Sequence, residues 1–232
     1  MSETSYYHDY ARSVIREYSQ RSEEARNLLV DSLGKLPADR ILDIGCGPGQ
    51  EMLAFAEKRR SFCIGIDIGE ELGKIGPHFV SEFGAEKEIK FVQGAGEDLP
   101  FSDESFDVVL CRVALPYMDN KITLAEISRV LKPGGVFLLK THAPHFYFGM
   151  LKKGLGDLHP KKAAYPLICL FIGTWNLLTG KQLRSGFWKG KEVFQTEGFL
   201  KKEFAKNSME IKRELSDTNY QTPSYFVQKI SR

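Results

Sequence analysis

The chain has 232 residues, 42% of them hydrophobic and 27% charged, the proportions of an ordinary globular protein with length enough for one large domain. Its 32 lysines and arginines stand against 30 aspartates and glutamates, a net charge of +2, which gives no bulk pull towards nucleic acid, and no nucleic-acid partner is expected. Cys46, Cys63, Cys111 and Cys169 sit among apolar neighbours with neither metal-ligand spacing nor a disulfide framework, and read as small buried hydrophobes in a reducing compartment.

The opening residues, MSETSYYHDYARS, are polar and lack the apolar run of a secretory signal, so the expected location is cytoplasmic. Apolar positions at helical spacing (Val14, Ile15, Tyr18, Ala25, Leu28, Leu29) predict a helix from about Tyr6 to Leu33, closed near Gly34 and Pro37. A short strand at Ile41 to Ile44 and a helix at Glu51 to Lys58 follow. SFCIGIDIG gives a second strand ending at Asp67, with a helix from about Glu70 to Phe83. IKFVQG and SFDVVLCRV are the third and fourth strands, the latter apolar almost throughout, as in a strand buried on both faces. KITLAEISRVL is a helix stopped by Pro133-Gly134-Gly135, and VFLLKTH is a fifth strand. This alternation predicts a parallel sheet with helices on both faces. GKEVFQTEGFLKKEFAKN then reads as a helix, and MEIKREL and SYFVQKI as strands whose short link permits a hairpin and no parallel crossover. The sheet should end antiparallel.

Between Arg40 and Glu51 the sequence RILDIGCGPGQE spends glycines at 45, 47 and 49 directly after a strand. Glycine there admits unusual backbone angles and lets another group approach the main chain. In an open α/β sheet the ligand lies beyond the carboxyl ends of the strands, where the first strand-to-helix turn meets it. Asp67, at the end of the second strand, suits a ribose diol, so the two features describe a nucleoside site. A dinucleotide is the poorer fit: its turn is G-x-G-x-x-G, whereas this one is G-x-G-x-G with Pro48 inside and the acidic Glu51 opening the helix. A nicotinamide-dependent oxidoreductase stands as the weaker alternative.

ILDIGCGPGQ, GIDI, GAGEDLPF, SFDVVLCRVALPYM and EISRVLKPGGVFLLK, in that order, resemble the class I S-adenosylmethionine-dependent methyltransferases, strongly so from about Arg40 to Lys140. The resemblance implies a doubly wound, mostly parallel seven-stranded sheet of Rossmann-like kind, with an antiparallel last strand and an N-terminal helical cover. It implies S-adenosyl-L-methionine as cofactor, with S-adenosyl-L-homocysteine as product. Carried over residue by residue, the methionine moiety falls to Asp43, Gly45, Gly47 and Gly49, the ribose to Asp67 with Ile68, and the adenine frame to Gly96, Glu97 and Leu99, with Arg112 beside the cofactor. Similar sequences usually read Gly-Asp-Ala-Glu where this one has Gly94-Ala95-Gly96-Glu97; backbone of Ala95 and Gly96, or Glu97 or Asp98, would take the missing aspartate's place. One methyltransferase domain over 1–232 is expected: a helical cover (1–36), a cofactor-binding core (37–142), an inserted acceptor lid (143–190), and a final helix with a β-hairpin (191–232).

Methyl transfer is in-line attack on a sulfonium, so alignment does much of the work and a base is needed only if the acceptor holds its proton. The candidates for that base are His142 and His145, just past the fifth strand, and Tyr117 at the end of the fourth. His8, His78 and His159 are isolated, and no metal site is expected. CRVALPYM stands where an Asn-Pro-Pro-Tyr-type motif would mark amino-group methylation of bases or glutamine. A small-molecule or lipid-like acceptor, methylated at oxygen, is therefore expected, with carbon or nitrogen acceptors open and a catalytically inactive cofactor-binding partner protein as the alternative. Ala163 to Leu178 carries no charge and has basic flanks. It reads as a lid over an apolar acceptor pocket, a peripheral membrane contact for a lipid-linked acceptor, or a dimer face. Tyr6, Tyr7 and Tyr10 read as a second cover near the cofactor carboxylate, or as a packing stripe.

Overall fold

The computed structural model describes residues 3–157 and 160–230. The helix expected over about 6–33 is two, α1 (Glu3–Gln20) and α2 (Glu23–Ser32). Ser22 breaks it: its hydroxyl caps α2 by accepting from the Ala25 amide at 3.2 Å, and Glu23 and Glu24 follow in the first turn, where the helix dipole favours acids. Tyr6, Tyr7 and Tyr10 fall in α1, but their side chains, like His159, lie outside what is described.

Next come β1 (Arg40–Ile44), α3 (Leu53–Arg59), β2 (Phe62–Asp67), α4 (Glu70–Ser81), β3 (Ile89–Gln93), β4 (Phe106–Arg112), α5 (Asn120–Val130) and β5 (Leu131–Lys140). After α6 (Pro144–Gly156) and α7 (Pro160–Thr179), the chain ends with α8 (Glu197–Lys206), β6 (Met209–Glu214) and β7 (Ser224–Lys229). The seven strands form one sheet in the order β3-β2-β1-β4-β5-β7-β6, with β7 antiparallel to both neighbours.

Alternation along the strands feeds two cores. Ile41, Val108, Leu110, Val136 and Leu138 face one side, and Leu42, Ile44, Val109, Cys111, Phe137 and Leu139 the other. Each such side chain, once fully buried, contributes about 1.5–3 kcal/mol. All four cysteines are buried free thiols. A third, smaller cluster around Tyr147, Cys169 and Phe194 joins α6 and α7 to the segment before α8.

Two boundaries differ from the sequence reading. The strand expected from Val136 begins at Leu131, opposite Phe106, and passes Pro133-Gly134-Gly135 as an irregularity in the pairing. The final helix, expected from Gly190, starts only at Glu197, where Thr196 caps it. Residues 191–196 run extended, because the Val193 amide donates to the Pro116 carbonyl at 2.8 Å and the Gln195 amide to that of His142 at 3.1 Å. Tertiary hydrogen bonds override the local helical pattern there.

Candidate functional site

β1 ends in a turn whose three glycines all have positive φ: +69° at Gly45, +53° at Gly47 and +92° at Gly49. A side chain at Gly45 would be strained and would also meet the Ala114 side chain at 2.3 Å. Asp67, at the end of β2, holds this turn: one carboxylate oxygen accepts from the Gly47 amide at 3.1 Å, the other from the Gly69 amide at 2.9 Å. Two amides use only part of a carboxylate's acceptor capacity. Cys46, Gly47, Asp67, Gly69, Leu72 and Phe91 line a narrow recess beside the turn.

Asp43 lies within β1, beneath the turn, and is 2% exposed. Its Oδ2 has no hydrogen-bond partner. Burial, and then the charges of Glu51 and Asp67, push its pKa well up, while Arg112 opposes them. An unpartnered buried carboxyl of this kind suits a cationic ligand, whose charge would supply the missing partner. Glu51 itself is paired with Arg21 at 2.8 Å, which ties the break between α1 and α2 to the glycine turn.

Ile68, expected with Asp67 at the ribose, projects beside it, 68% exposed. The residues expected to frame the adenine are fixed by their own packing and hydrogen bonds. Gly96 is buried, and a side chain there would meet Ile44 and Met118 at 2.9 Å. Leu99 packs into the core, its amide donating to Glu126 at 2.9 Å. Glu97 accepts from the Asp119 amide at 2.8 Å and from Arg184 at 2.9 Å. Its carboxylate is thus already engaged, which leaves the backbone of Ala95 and Gly96, and the exposed Asp98, as the candidates for the missing aspartate's part. Arg112 is engaged elsewhere: it donates to Ser224 at 2.7 Å and pairs with Asp217, which Lys140 also binds at 2.8 Å.

The three candidate bases differ in burial and in partners. Tyr117, half exposed, sits in a short 3-10 turn (Leu115–Tyr117) after β4. His145 is exposed near the start of α6, its ring 5.8 Å from that of Tyr220. His142 is 9% exposed and stacks on Phe146 at 3.8 Å, 9° from parallel. Its Nδ1 lies 2.7 Å from Oε2 of Glu192.

Glu192 is a residue the sequence reading missed. Tyr147 donates to its Oε2 at 2.9 Å and Tyr165 to its Oε1 at 2.8 Å. Burial works to raise its pKa, but the His142 ring and the two hydroxyls outweigh it, so the carboxyl stays ionised below its usual range. Burial, followed by the Glu192 charge, drives both tyrosine hydroxyls far above their ordinary value, so they remain donors. In the neutral ring, the tautomer that meets an ionised carboxylate has its proton on Nδ1, which leaves the lone pair on Nε2. Among the described residues Nε2 makes no hydrogen bond. Thr196, a capping residue four positions on, signals only that Glu192 lies before the final helix and not within it.

Among the described residues no group of three or more His, Cys, Asp or Glu could hold a metal ion, and no helix is long and apolar enough to cross a membrane.

A family model described as a methyltransferase domain matches residues 42–139. The uncharacterized methyltransferase YcgJ of Bacillus subtilis is 42% identical over 104 residues, 44% of this chain and 40% of that protein. The ubiquinone/menaquinone biosynthesis C-methyltransferase UbiE of Geotalea daltonii is 32% identical over 153 residues, 60% of this chain and 65% of that protein. The chain therefore spans less than two thirds of the length of either relative. Among solved structures, geranyl diphosphate C-methyltransferase from Streptomyces coelicolor A3(2), in complex with Mg2+, geranyl diphosphate and S-adenosyl-L-homocysteine, shares the fold with a TM-score of 0.65. The likeness covers 96% of this chain and 84% of that one, at 16% identity.

Proposed function

Because residues 42–139 are a methyltransferase domain of the class I, S-adenosylmethionine-dependent kind, we propose that the chain moves a methyl group from S-adenosyl-L-methionine to an oxygen of a small-molecule or lipid-like acceptor. The observation that carries this reading is the buried, unpartnered Oδ2 of Asp43 under a turn of positive-φ glycines. When bound, S-adenosylmethionine supplies a methyl group on a cationic sulfur, open to in-line attack.

Asp43 would face the cationic end of the cofactor, relieving the cost of an unpartnered buried carboxyl. Asp67 would accept from the ribose hydroxyls with the capacity its two amide bonds leave. The exposed Ile68 would flank the ribose beside Asp67, and Gly96 and Leu99 would frame the adenine. His142, held by Glu192, is the candidate base: Nε2 takes the acceptor's proton, and the ionised carboxylate stabilises the imidazolium that results. A base so arranged fits an acceptor whose reacting atom carries a removable proton, such as a hydroxyl. The inner face of α7 brings Tyr165 to Glu192, which supports the reading of 143–190 as the acceptor's lid.

An acidic carbon is the second reading, favoured because UbiE and the geranyl diphosphate enzyme are both named C-methyltransferases. The test is incubation with S-adenosylmethionine labelled in its methyl group and a fractionated metabolite and lipid extract. We expect label in an apolar product whose cleavage chemistry is that of a methyl ether or ester. Label on carbon would select the second reading. Binding of S-adenosylhomocysteine without transfer would indicate a catalytically inactive partner protein, and NADH binding in its place would overturn the proposal.

A further inference from the structure

The net charge of +2 conceals a basic segment on an acidic body. From Thr141 to Lys191 there are eight lysines and arginines and one aspartate, whereas the remaining 181 residues hold 24 and 29 acidic ones. The basic segment comprises α6, α7 and the loop after them. Its acid, Asp157, is already paired with Lys162 at 3.3 Å.

The outer face of α7 is apolar. Leu167, Phe171, Trp175 and Leu178 recur at helical spacing and are 52%, 54%, 41% and 80% exposed, while Cys169, Ile172 and Asn176 on the opposite face are buried. The stripe continues off the helix. Trp188, in a 3-10 turn (Gly186–Trp188), stacks on Phe171 at 5.7 Å, and Phe187, 65% exposed, packs edge-on against Trp188. Lys181, just past the end of α7, and Lys189, next to Trp188, are exposed, and the Lys191 ammonium lies 5.7 Å from the Phe187 ring.

A helix that is apolar with aromatics on one face, rimmed by lysines and unable to cross a bilayer, suits the boundary between headgroups and acyl chains. A second copy of the chain fits poorly, because a twofold contact through this stripe would set two basic rims against each other. An anionic surface meets both features at once. We propose that α7 and the Phe187–Trp188 turn dock this protein on the surface of an anionic lipid bilayer, with α7 lying along it.

This inference does not depend on methyl transfer, and its test requires no cofactor. The full chain is sedimented with vesicles of phosphatidylcholine, with and without phosphatidylglycerol. Binding is expected to phosphatidylglycerol vesicles, with release as salt rises. Leu167→Ser with Leu178→Ser, and separately Lys181→Glu with Lys189→Glu, should each weaken that binding by about tenfold or more. Because the altered side chains face solvent, melting temperatures should not change. Absence of sedimentation, equal affinity for both vesicle types, or variants that bind like the parent would overturn the proposal. So would a dimer, seen by light scattering, that the serine pair dissolves, since a second copy would then cover the stripe.

Discussion

Asp43 and Glu192 are both buried carboxyls, and their surroundings drive them in opposite directions. Asp43 has only burial and other acids close by apart from Arg112, so its folded pKa lies above the unfolded value of about 3.9. Such a group favours the native state in its protonated form, and stability is lost as pH rises from the unfolded pKa towards the folded one. Asp43→Asn should abolish that loss and raise the melting temperature of the unliganded protein at neutral pH. The same change should weaken S-adenosylmethionine binding by about 1.4–3 kcal/mol, tenfold or more; calorimetric titration beside thermal melts reads both. Glu192 is held ionised by His142, Tyr165 and Tyr147. Glu192→Gln keeps the shape and removes the charge that stabilises an imidazolium. We expect methyl transfer to fall by about 100-fold or more, S-adenosylhomocysteine affinity to hold, and the acid limb of the pH–rate profile to move to lower pH. A purely structural role would lower the rate without moving that limb.

The β6–β7 connection illustrates how elements are fixed to one another. Asp217, in that loop, binds Arg112 at the end of β4 and Lys140 at the end of β5, so one carboxylate anchors the hairpin to the carboxyl edge of the sheet. Burial works to raise its pKa, but Arg112 and Lys140 prevail and hold it below the usual range. A depressed carboxyl contributes stability above its unfolded pKa of about 3.9 and loses it as pH falls through the lower folded value. Asp217→Ala should therefore cost about 1–3 kcal/mol near neutral pH, a figure moderated by partial exposure, and the gap to the parent should close in acid below about pH 4. Urea unfolding across that range measures it. These elements were largely legible in the sequence, because Val108 to Cys111 is buried on both faces and the link before Ser224 is too short for a crossover. Residues 191–196 were not, because what keeps them extended is hydrogen bonding to Pro116 and His142 from distant parts of the chain. Glu192 escaped notice for the same reason: nothing near it in sequence signals a partner 50 positions earlier.

Over the whole molecule, the proposed nucleoside half of the site comes from turns at the ends of β1 and β2, whose glycines and aspartate are local signals. The candidate base comes from a long-range contact between the end of β5 and the segment before α8, which only folding reveals. The apolar outer face of α7, with its basic rim, serves neither role. We propose that the Gly45–Gly49 turn and Asp67 hold an adenosyl cofactor. Calorimetric titration of S-adenosylhomocysteine into the parent, Asp67→Ala and Gly47→Val tests it most directly. We predict saturable binding to the parent, an affinity lower by about 1.5–3 kcal/mol in Asp67→Ala as for hydrogen bonds to a charged group, and none in Gly47→Val, whose branched side chain would have to adopt a φ of +53°. Undiminished affinity in either folded variant, or a parent that does not bind, would contradict the account.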